Sequence, residues 1–552
     1  MFAYRRTPRS RRVVFVPALV LAGSALVGLP ACSKTTESGA GSAPVTTAQA
    51  KPHVKGPADV GSAQDGGKLV MALEADAEGL DPTRFAFASS GHFVASAVFD
   101  PIATLNEEGK PVPYLASKIE GSNNNKTWII TIPDGIKFSD GDTLDAEVVY
   151  KNLKAHQASI ITKAAMVTVE SIERKGSDQV EVKLSKPWTA FPTVMTSQIG
   201  YVISPKMLEN GDLNRTPIGS GPFVYDARSE GEKWSFKKNT NYRQPGKPHL
   251  DALEFRIVND ETERVSLLQK GEADMIHSYK PDQVLNLRAG QYKLVDYNLG
   301  EEDFIVVNHG RLPFKNKTAR LAVAFATDAE GWRKEVTKGI EAPANSPFAP
   351  GQPGYEENNG FPTYDAAKAA DLVKQYEKEE GKPLEITFQV IDNPGVIADA
   401  QYFKKSYEAA GMKVSILVNK QIGLVAQTAT GNFDLSLFRN FGFHDPDTDT
   451  VFWRGTSSTP MGEVALNFPR FKDDRVDAAI DKATAATNEA DRDSAYREVQ
   501  KRFAEEIPYL WLGRPNWVLA ANPVVNGMYA GANGSIQTLG AKTWLADLWL
   551  TK

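Results

Sequence analysis

In the stretch WIITIPDGIKFSDGDTLDAEVVYKNLK, residues 128–154, two kinds of hydrophobic spacing follow one another. Trp128-Ile129-Ile130-Thr131-Ile132 is β-branched and aromatic, which favours a strand. Pro133-Asp134-Gly135 supplies turn chemistry, and Ile136-Lys137-Phe138 resumes strand character, so a hairpin is expected. Thr143 then offers an N-cap hydroxyl, Asp145 and Glu147 suit a first helical turn, and a helix is expected to run through Leu153.

Working outward, the same alternation recurs. Lys68–Leu73 reads as a short apolar strand, followed by a polar loop from Asp76 to the Pro-fixed turn at Pro82. Residues 180–184 and 253–258 alternate as half-buried strands, and Asp260 opens a capped helix to Leu268. Residues 365–380, 398–410 and 476–506 carry apolar residues near three- and four-residue spacing, with Gly381 and Gly411 stopping the first two helices. Strands at 384–388 and 412–416 follow those two helices. The order is mixed α/β, with more than one sheet.

The amino terminus has a different character. Arg5, Arg6, Arg9, Arg11 and Arg12 precede an uncharged apolar run from Val13 to Gly28, and Leu29-Pro30-Ala31-Cys32 ends in the chain's only cysteine. A basic start, a run too short for a comfortable membrane span and small residues before a cysteine describe a lipoprotein export signal over residues 1–31. Cys32 is then the expected lipidation site, and a multiply acylated cysteine anchors a body stably. The alternative is a structural cysteine behind an ordinary secretory signal. Paired arginines leave general and twin-arginine export both open. Residues 32–66 are rich in Ser, Thr, Gly, Ala, Pro and Lys and are expected to form a flexible tether.

Composition bounds the rest. The 552 residues are 41% hydrophobic and 24% charged, an ordinary globular composition with length for two or three domains. The net charge is -5, and the body is more acidic still once the arginine-rich start is set aside, so a nucleic-acid partner is not expected. With the one cysteine assigned to lipid, neither a disulfide nor a thiolate metal site is expected. There is no second apolar run of spanning length, so contact with the membrane is expected through the anchor alone.

Six strings, at residues 66–82, 105–120, 128–154, 217–226, 250–275 and 307–328, occur in an order and spacing that resemble the family 5 extracellular solute-binding proteins, the dipeptide, oligopeptide and nickel receptors of ABC importers. The resemblance covers nearly everything after Gly67. It implies a periplasmic-binding-protein-like α/β fold of type II, cluster C: two mixed α/β lobes joined by a hinge, with an extra inserted α+β domain. Lobe one would comprise residues 67–98, 215–298 and 508–552, the inserted domain 99–214, and lobe two 299–507. A monomer on the extracytoplasmic (periplasmic) face of the cell membrane is implied.

A cleft that closes on a polar ligand needs hydrogen-bonding groups beside aromatic surface. The segment Phe438-Arg439-Asn440-Phe441-Gly442-Phe443-His444-Asp445, after the apolar strand 433–437, has that character, and Asn440, Phe441, Phe443, His444 and Asp445 are candidate ligand-binding residues. A packed aromatic turn is the alternative. Peptide-binding members of the family place an acid in the equivalent segment to meet the ligand's amino terminus, and alignment on Asp445-Pro446-Asp447 puts Gly442 there. The expected carboxylate is missing, so a peptide ligand is in question unless Asp445 substitutes. Asp76 and Glu78 lie in a region that contacts ligand in relatives, with a solvated or capping turn as the alternative. Asn308, on the crossover between lobes, is a hinge or cleft residue or a strand-end hydrogen bonder.

Catalytic and metal readings find no support in the motifs. The aspartates at 445, 447 and 449 resemble the opening of a calcium loop, but Thr450 and Thr456 stand where its glycine and bidentate glutamate belong. The seven histidines lack zinc-protease spacing, and there is no G-x-S-x-G elbow or phosphate loop. No enzyme, cofactor or metal is expected. The expected function is a lipid-anchored substrate-binding protein that hands a peptide or other small polar solute to an ABC permease. The alternative is a receptor-shaped lipoprotein that regulates or scaffolds an envelope process without transport.

Overall fold

The computed structural model describes residues 53–106, 110–211, 215–297, 301–439, 445–528 and 544–552. The chain divides into two units, residues 1–45 and 46–552, and all described residues belong to the second. Cys32 and the segment Asn440–His444 lie outside the described residues.

Among the described residues the strands form an eight-stranded sheet, a six-stranded sheet, a four-stranded sheet and two two-stranded pairs. The eight-stranded sheet is centred on Lys68–Leu73, which runs parallel to Ala252–Ile257 on one side and to Met275–Ser278 on the other. Both of its faces are covered. Leu69, Met71, Phe255 and Met275 pack with the helix Ser89–Val98 on one side, and Ala72, Ile276, Leu294 and Val518 pack on the other. A strand buried on both faces reads as a continuous apolar run, as KLVMAL does.

The six-stranded sheet places Asp303–Val307 between Leu435–Arg439 and Tyr509–Arg514, both antiparallel to it, with Glu385–Ile391 and Lys413–Asn419 adding parallel strands beyond. Its period-2 pattern is explicit. Leu510 and Leu512 enter one core with Phe388 and Phe403, while Tyr509 and Trp511 enter the other with Phe503 and Tyr496. The helices Asp474–Ala485 and Glu489–Glu506 cover that second face.

The four-stranded antiparallel sheet holds Lys118–Ser122, Thr127–Thr131, Gln179–Leu184 and Val169–Lys175 in that order, with its own core against Ala146–Ala158. Here the expected hairpin is corrected. Thr127–Thr131 pairs with 118–122 and 179–184, and Ile136–Phe138 leaves the sheet to make one isolated bridge at Lys137–Thr143. Pro133 and the turn after it carry the chain out of the plane; the partners are the preceding strand, in a hairpin across residues 123–126, and the distant strand Gln179–Leu184. The following helix is capped by Asp145, whose carboxylate accepts from Val148 N at 3.1 Å, rather than by Thr143.

Three further boundaries differ from expectation. The helix expected over 476–506 is two helices, because Asn488 caps a second one by accepting from Asp491 N at 2.9 Å. Strand Tyr509–Arg514 belongs to the six-stranded sheet and Trp517–Ala521 to the eight-stranded one, so the return crossing falls at residues 515–516, not at 508. Part of the expected tether is laid on the body: His53–Lys55 pairs antiparallel with residues 294–296, and Asp59 meets the buried Lys293 ammonium at 2.8 Å. Backbone pairing and ion pairs, Asp59 with Lys293 and Lys55 with Asp296 at 3.4 Å, hold this strap, so hydrophobicity gives no sign of it.

Candidate functional site

Parallel strands in one sheet end along one edge. In the eight-stranded sheet that edge carries Glu74 and Tyr279, the residues after strands Lys68–Leu73 and Met275–Ser278. Ser278 pairs with Val518, so Trp517, at the start of its antiparallel strand, comes to the same edge. Its ring centroid lies 4.6 Å from that of Tyr279. In the six-stranded sheet Asp303 begins one strand opposite Arg439 and Gly513 near the ends of two others. Strands Lys293–Tyr297 and Asp303–Val307, consecutive in the chain, belong to different sheets, as do Tyr509–Arg514 and Trp517–Ala521. Ligands of open α/β sheets bind beyond the carboxyl ends of strands, where such connections diverge.

Arg439 spans the gap. Its Nε and Nη2 donate to the Asp303 carboxylate at 2.9 and 3.2 Å, while the guanidinium lies 5.2 Å from the Tyr279 ring centroid and 5.8 Å from that of Trp517. A cation held by a bidentate carboxylate and facing two rings is fixed in orientation. The Trp517 indole nitrogen donates to Glu301 at 2.9 Å, and burial pushes the Glu301 carboxyl up to about 7. Asp399, which accepts from Trp332 Nε1 at 2.9 Å, is raised to about 6, again chiefly by burial. Burial also raises Glu341, whose Oε2 is buried without a hydrogen-bond partner. Gly513 permits this approach, since a Cβ there would sit 2.5 Å from that oxygen.

Depth and access coexist in this cluster. The Arg439 side chain is deep in the protein yet 31% accessible, and Glu74, Tyr279, Asp303, Glu341 and Asp399 are likewise only half-buried. Charged and aromatic groups in this partly accessible setting are reachable by a small ligand.

The residues expected from sequence are placed as follows. Asp76 is engaged within the body of the eight-stranded sheet: its carboxylate accepts from Arg228 Nη2, Gly231 N and Trp234 Nε1 at 2.8, 2.8 and 2.7 Å. Burial opposes the charge on Asp76, yet these donors hold its carboxyl below the usual range. Glu78 is exposed beside it. Asn308 is buried; its amide donates to the carbonyls of Gly431 and Phe433 at 2.8 and 2.7 Å and its oxygen accepts from Gly310 N, the strand-end role. Asp445 accepts from Asp447 N at 2.9 Å and pairs with Arg492. Asn440, Phe441, Phe443 and His444 fall in the segment outside the described residues. Sequence reasoning did not single out Glu74, Tyr279, Asp303 or Trp517, and reached Arg439 only as a member of the segment Phe438–Asp445. Position was the available signal, because each stands at or just beyond a strand terminus on the shared edges.

A second contact joins the body around the four-stranded sheet to the body around the six-stranded one. Trp188 Nε1 donates to Asp447 Oδ2 at 2.9 Å, Thr189 Oγ1 to the Ala486 carbonyl at 2.5 Å, and Lys186 pairs with Asp481 at 3.2 Å. Among the described residues no group of three or more His, Cys, Asp or Glu is disposed to hold a metal ion, and no helix is long and apolar enough to cross a membrane.

Comparison with known proteins agrees with this architecture. The chain is 27% identical over 501 residues to the di/tripeptide-binding protein 2 of Pseudomonas aeruginosa (strain UCBPP-PA14), covering 83% of this chain and 92% of that one. Among solved structures, the ABC transporter-associated periplasmic binding protein DppA from Helicobacter pylori, in complex with the peptide STSA, superposes with a TM-score of 0.76 at 20% identity, over 89% of this chain and 99% of that one. NikA from Brucella suis, in complex with Fe(III)-EDTA, does so with a TM-score of 0.75 at 22% identity, over 88% and 100%. These two likenesses concern the fold. The model described as "Bacterial extracellular solute-binding proteins, family 5 Middle" matches residues 110–463, well over half of the sequence, and on that match the chain belongs to the bacterial extracellular solute-binding proteins, family 5.

Proposed function

We propose that this protein is the lipid-anchored, extracytoplasmic receptor of an ABC importer, capturing a peptide or other small polar solute between two lobes and presenting it to a permease. Lobe one is built on the eight-stranded sheet and lobe two on the six-stranded sheet, with residues 99–214 as the inserted domain. The observation that carries the reading is Arg439 of one sheet lying over Tyr279 and Trp517 of the other, beside a set of half-buried acids. Rings and charges brought together from two bodies at their crossings form a site that exists only when the bodies meet. Binding free energy then biases open toward closed. No nucleophile–base arrangement is part of this reading; the site holds a ligand and does no chemistry on it. Anchoring is assigned to Cys32 within its export-signal context.

Thermal-shift screening of the purified body against peptide, amino-acid, sugar and metal-chelate collections tests capture, since a ligand at a hundred times its Kd stabilises by about 2.7 kcal/mol. A saturable rise in Tm is expected; no rise with any collection contradicts the receptor reading. Cys32→Ala is expected to move the protein from the membrane to the soluble fraction with Tm unchanged. Retention on the membrane contradicts the anchor.

A further inference from the structure

The acids of the cleft do not all have work within the protein. Asp303 is taken by Arg439, Glu301 by the Trp517 indole and Asp399 by the Trp332 indole. Glu74 and Glu341 differ: among the described residues no hydrogen bond or ion pair ends on either carboxylate, and of the two it is Glu74, half-buried, that stands at the edge beside Tyr279. The charges it feels are Arg264 and Arg439, which attract it, and Glu261, which repels it. Neither arginine is available to serve it. Arg264 donates to the carbonyls of His277, Val258 and Asn259, and Arg439 is held by Asp303.

A half-buried carboxylate without a donor is costly to keep ionised unless something brings a positive charge to it. The neighbourhood as a whole is acidic: Glu74, Glu301, Asp303, Glu341 and Asp399 outnumber the guanidinium groups of Arg439, Arg264 and Arg333 that act on them. The aromatic faces of Tyr279 and Trp517 add a surface that favours organic cations. At Gly442, where peptide-binding relatives are expected to carry an acid, this sequence has no side chain to offer.

We infer that Glu74 is the residue that meets the positively charged end of the ligand, so that this receptor selects small molecules carrying a protonated amine and recognises that amine from the eight-stranded sheet. The inference rests on the receptor reading above and adds its specificity-determining group. Burial raises the Glu74 carboxyl above its ordinary value, and an ammonium placed against it restores the ionised form, so recognition and desolvation are matched.

The test uses pooled di- and tripeptides with free amino termini, the same pool N-acetylated, and a pool of uncharged sugars, titrated calorimetrically into wild type and Glu74→Gln. The substitution keeps shape and removes charge. Binding of the free-amine pool by wild type, loss of at least tenfold on acetylation, and a loss of at least tenfold in Glu74→Gln with Tm unchanged are expected. If Glu74→Gln lowers Tm, a second variant, Glu74→Asp, decides: it restores discrimination between free and acetylated pools if the charge is what recognises the amine, and a failure to do so overturns the inference. Equal binding of free and acetylated pools, sugar binding alone, or full affinity in Glu74→Gln also overturns it while leaving the receptor reading intact. Binding of none of the pools overturns the inference, and with it the peptide or small polar solute assigned to the receptor.

Discussion

The indole nitrogen of Trp188 donates to Asp447 Oδ2 at 2.9 Å, tying the body of the four-stranded sheet to that of the six-stranded sheet across 259 residues of sequence. Asp447 is also held by Arg492 at 2.9 Å and by the Tyr496 hydroxyl, so the acceptor is fixed before the indole reaches it. The contact therefore behaves as a latch whose stationary half is preorganised.

Trp188→Phe keeps the ring that packs against Phe191 and deletes the donor. A hydrogen bond to a charged group contributes about 1.5–3 kcal/mol, and Asp447 retains its other partners, so the fold should survive. If the latch favours the ligand-holding arrangement, Kd should rise by roughly tenfold or more, at about 1.4 kcal/mol per factor of ten. Calorimetric titration measures this, and an unchanged Kd removes Trp188 from the closing mechanism.

The strap across the first sheet gives a stability prediction. The Lys293 side chain is fully buried, with its ammonium held by Asp59 at 2.8 Å and by Asn526 Oδ1 at 2.6 Å. Asp59→Ala leaves that charge with one neutral acceptor and is expected to destabilise by about 3 kcal/mol. The double variant Asp59→Ala, Lys293→Met should recover most of the loss, because it removes the stranded charge as well. Urea midpoints check both, and equal midpoints for wild type and the single variant contradict the strap's role.

Stability should depend on pH through the cleft. Glu301 in the folded protein titrates at about 7 because of its burial, against an ordinary glutamate value of 4.5; its neighbours are the Trp517 indole, Arg439, Asp303 and Glu74. Between these values the folded chain binds more protons than the unfolded one, so this contribution is complete below pH 4.5 and is lost as pH rises through 7. Glu301→Gln should flatten the fall in Tm over that window. Parallel Tm–pH curves for variant and wild type contradict the assignment.

What the sequence revealed was what is local. The strand 68–73 and the helices opened by Asp260 and Asp365 and closed by Gly271 and Gly381 are encoded by alternation, by capping carboxylates and by left-handed glycines within a few residues of one another. The resemblance across six strings supplied the two-lobed expectation. Partners distant in sequence stayed hidden. Thr127–Thr131 makes its hairpin with the strand before it, across the turn of left-handed Asn123, Asn124 and Asn125, and its other neighbour, Gln179–Leu184, lies about fifty residues away where no local pattern points to it. Asp76 has the type and position of a ligand contact, yet Arg228 and Trp234, more than 150 residues away, absorb its carboxylate. Glu74, two residues earlier, is left without such partners, a distinction that exists only after folding.

Crystals grown with the free-amine peptide pool test the central claim most directly, because they locate the ligand. The account predicts ligand density between Glu74, Tyr279 and Trp517 of one lobe and Arg439 of the other, with the amine against Glu74. Density confined to the groove of about 790 Å³ on the second lobe, lined by Arg311, Lys382, Lys413 and Asp434, with the space between the lobes unoccupied, contradicts it.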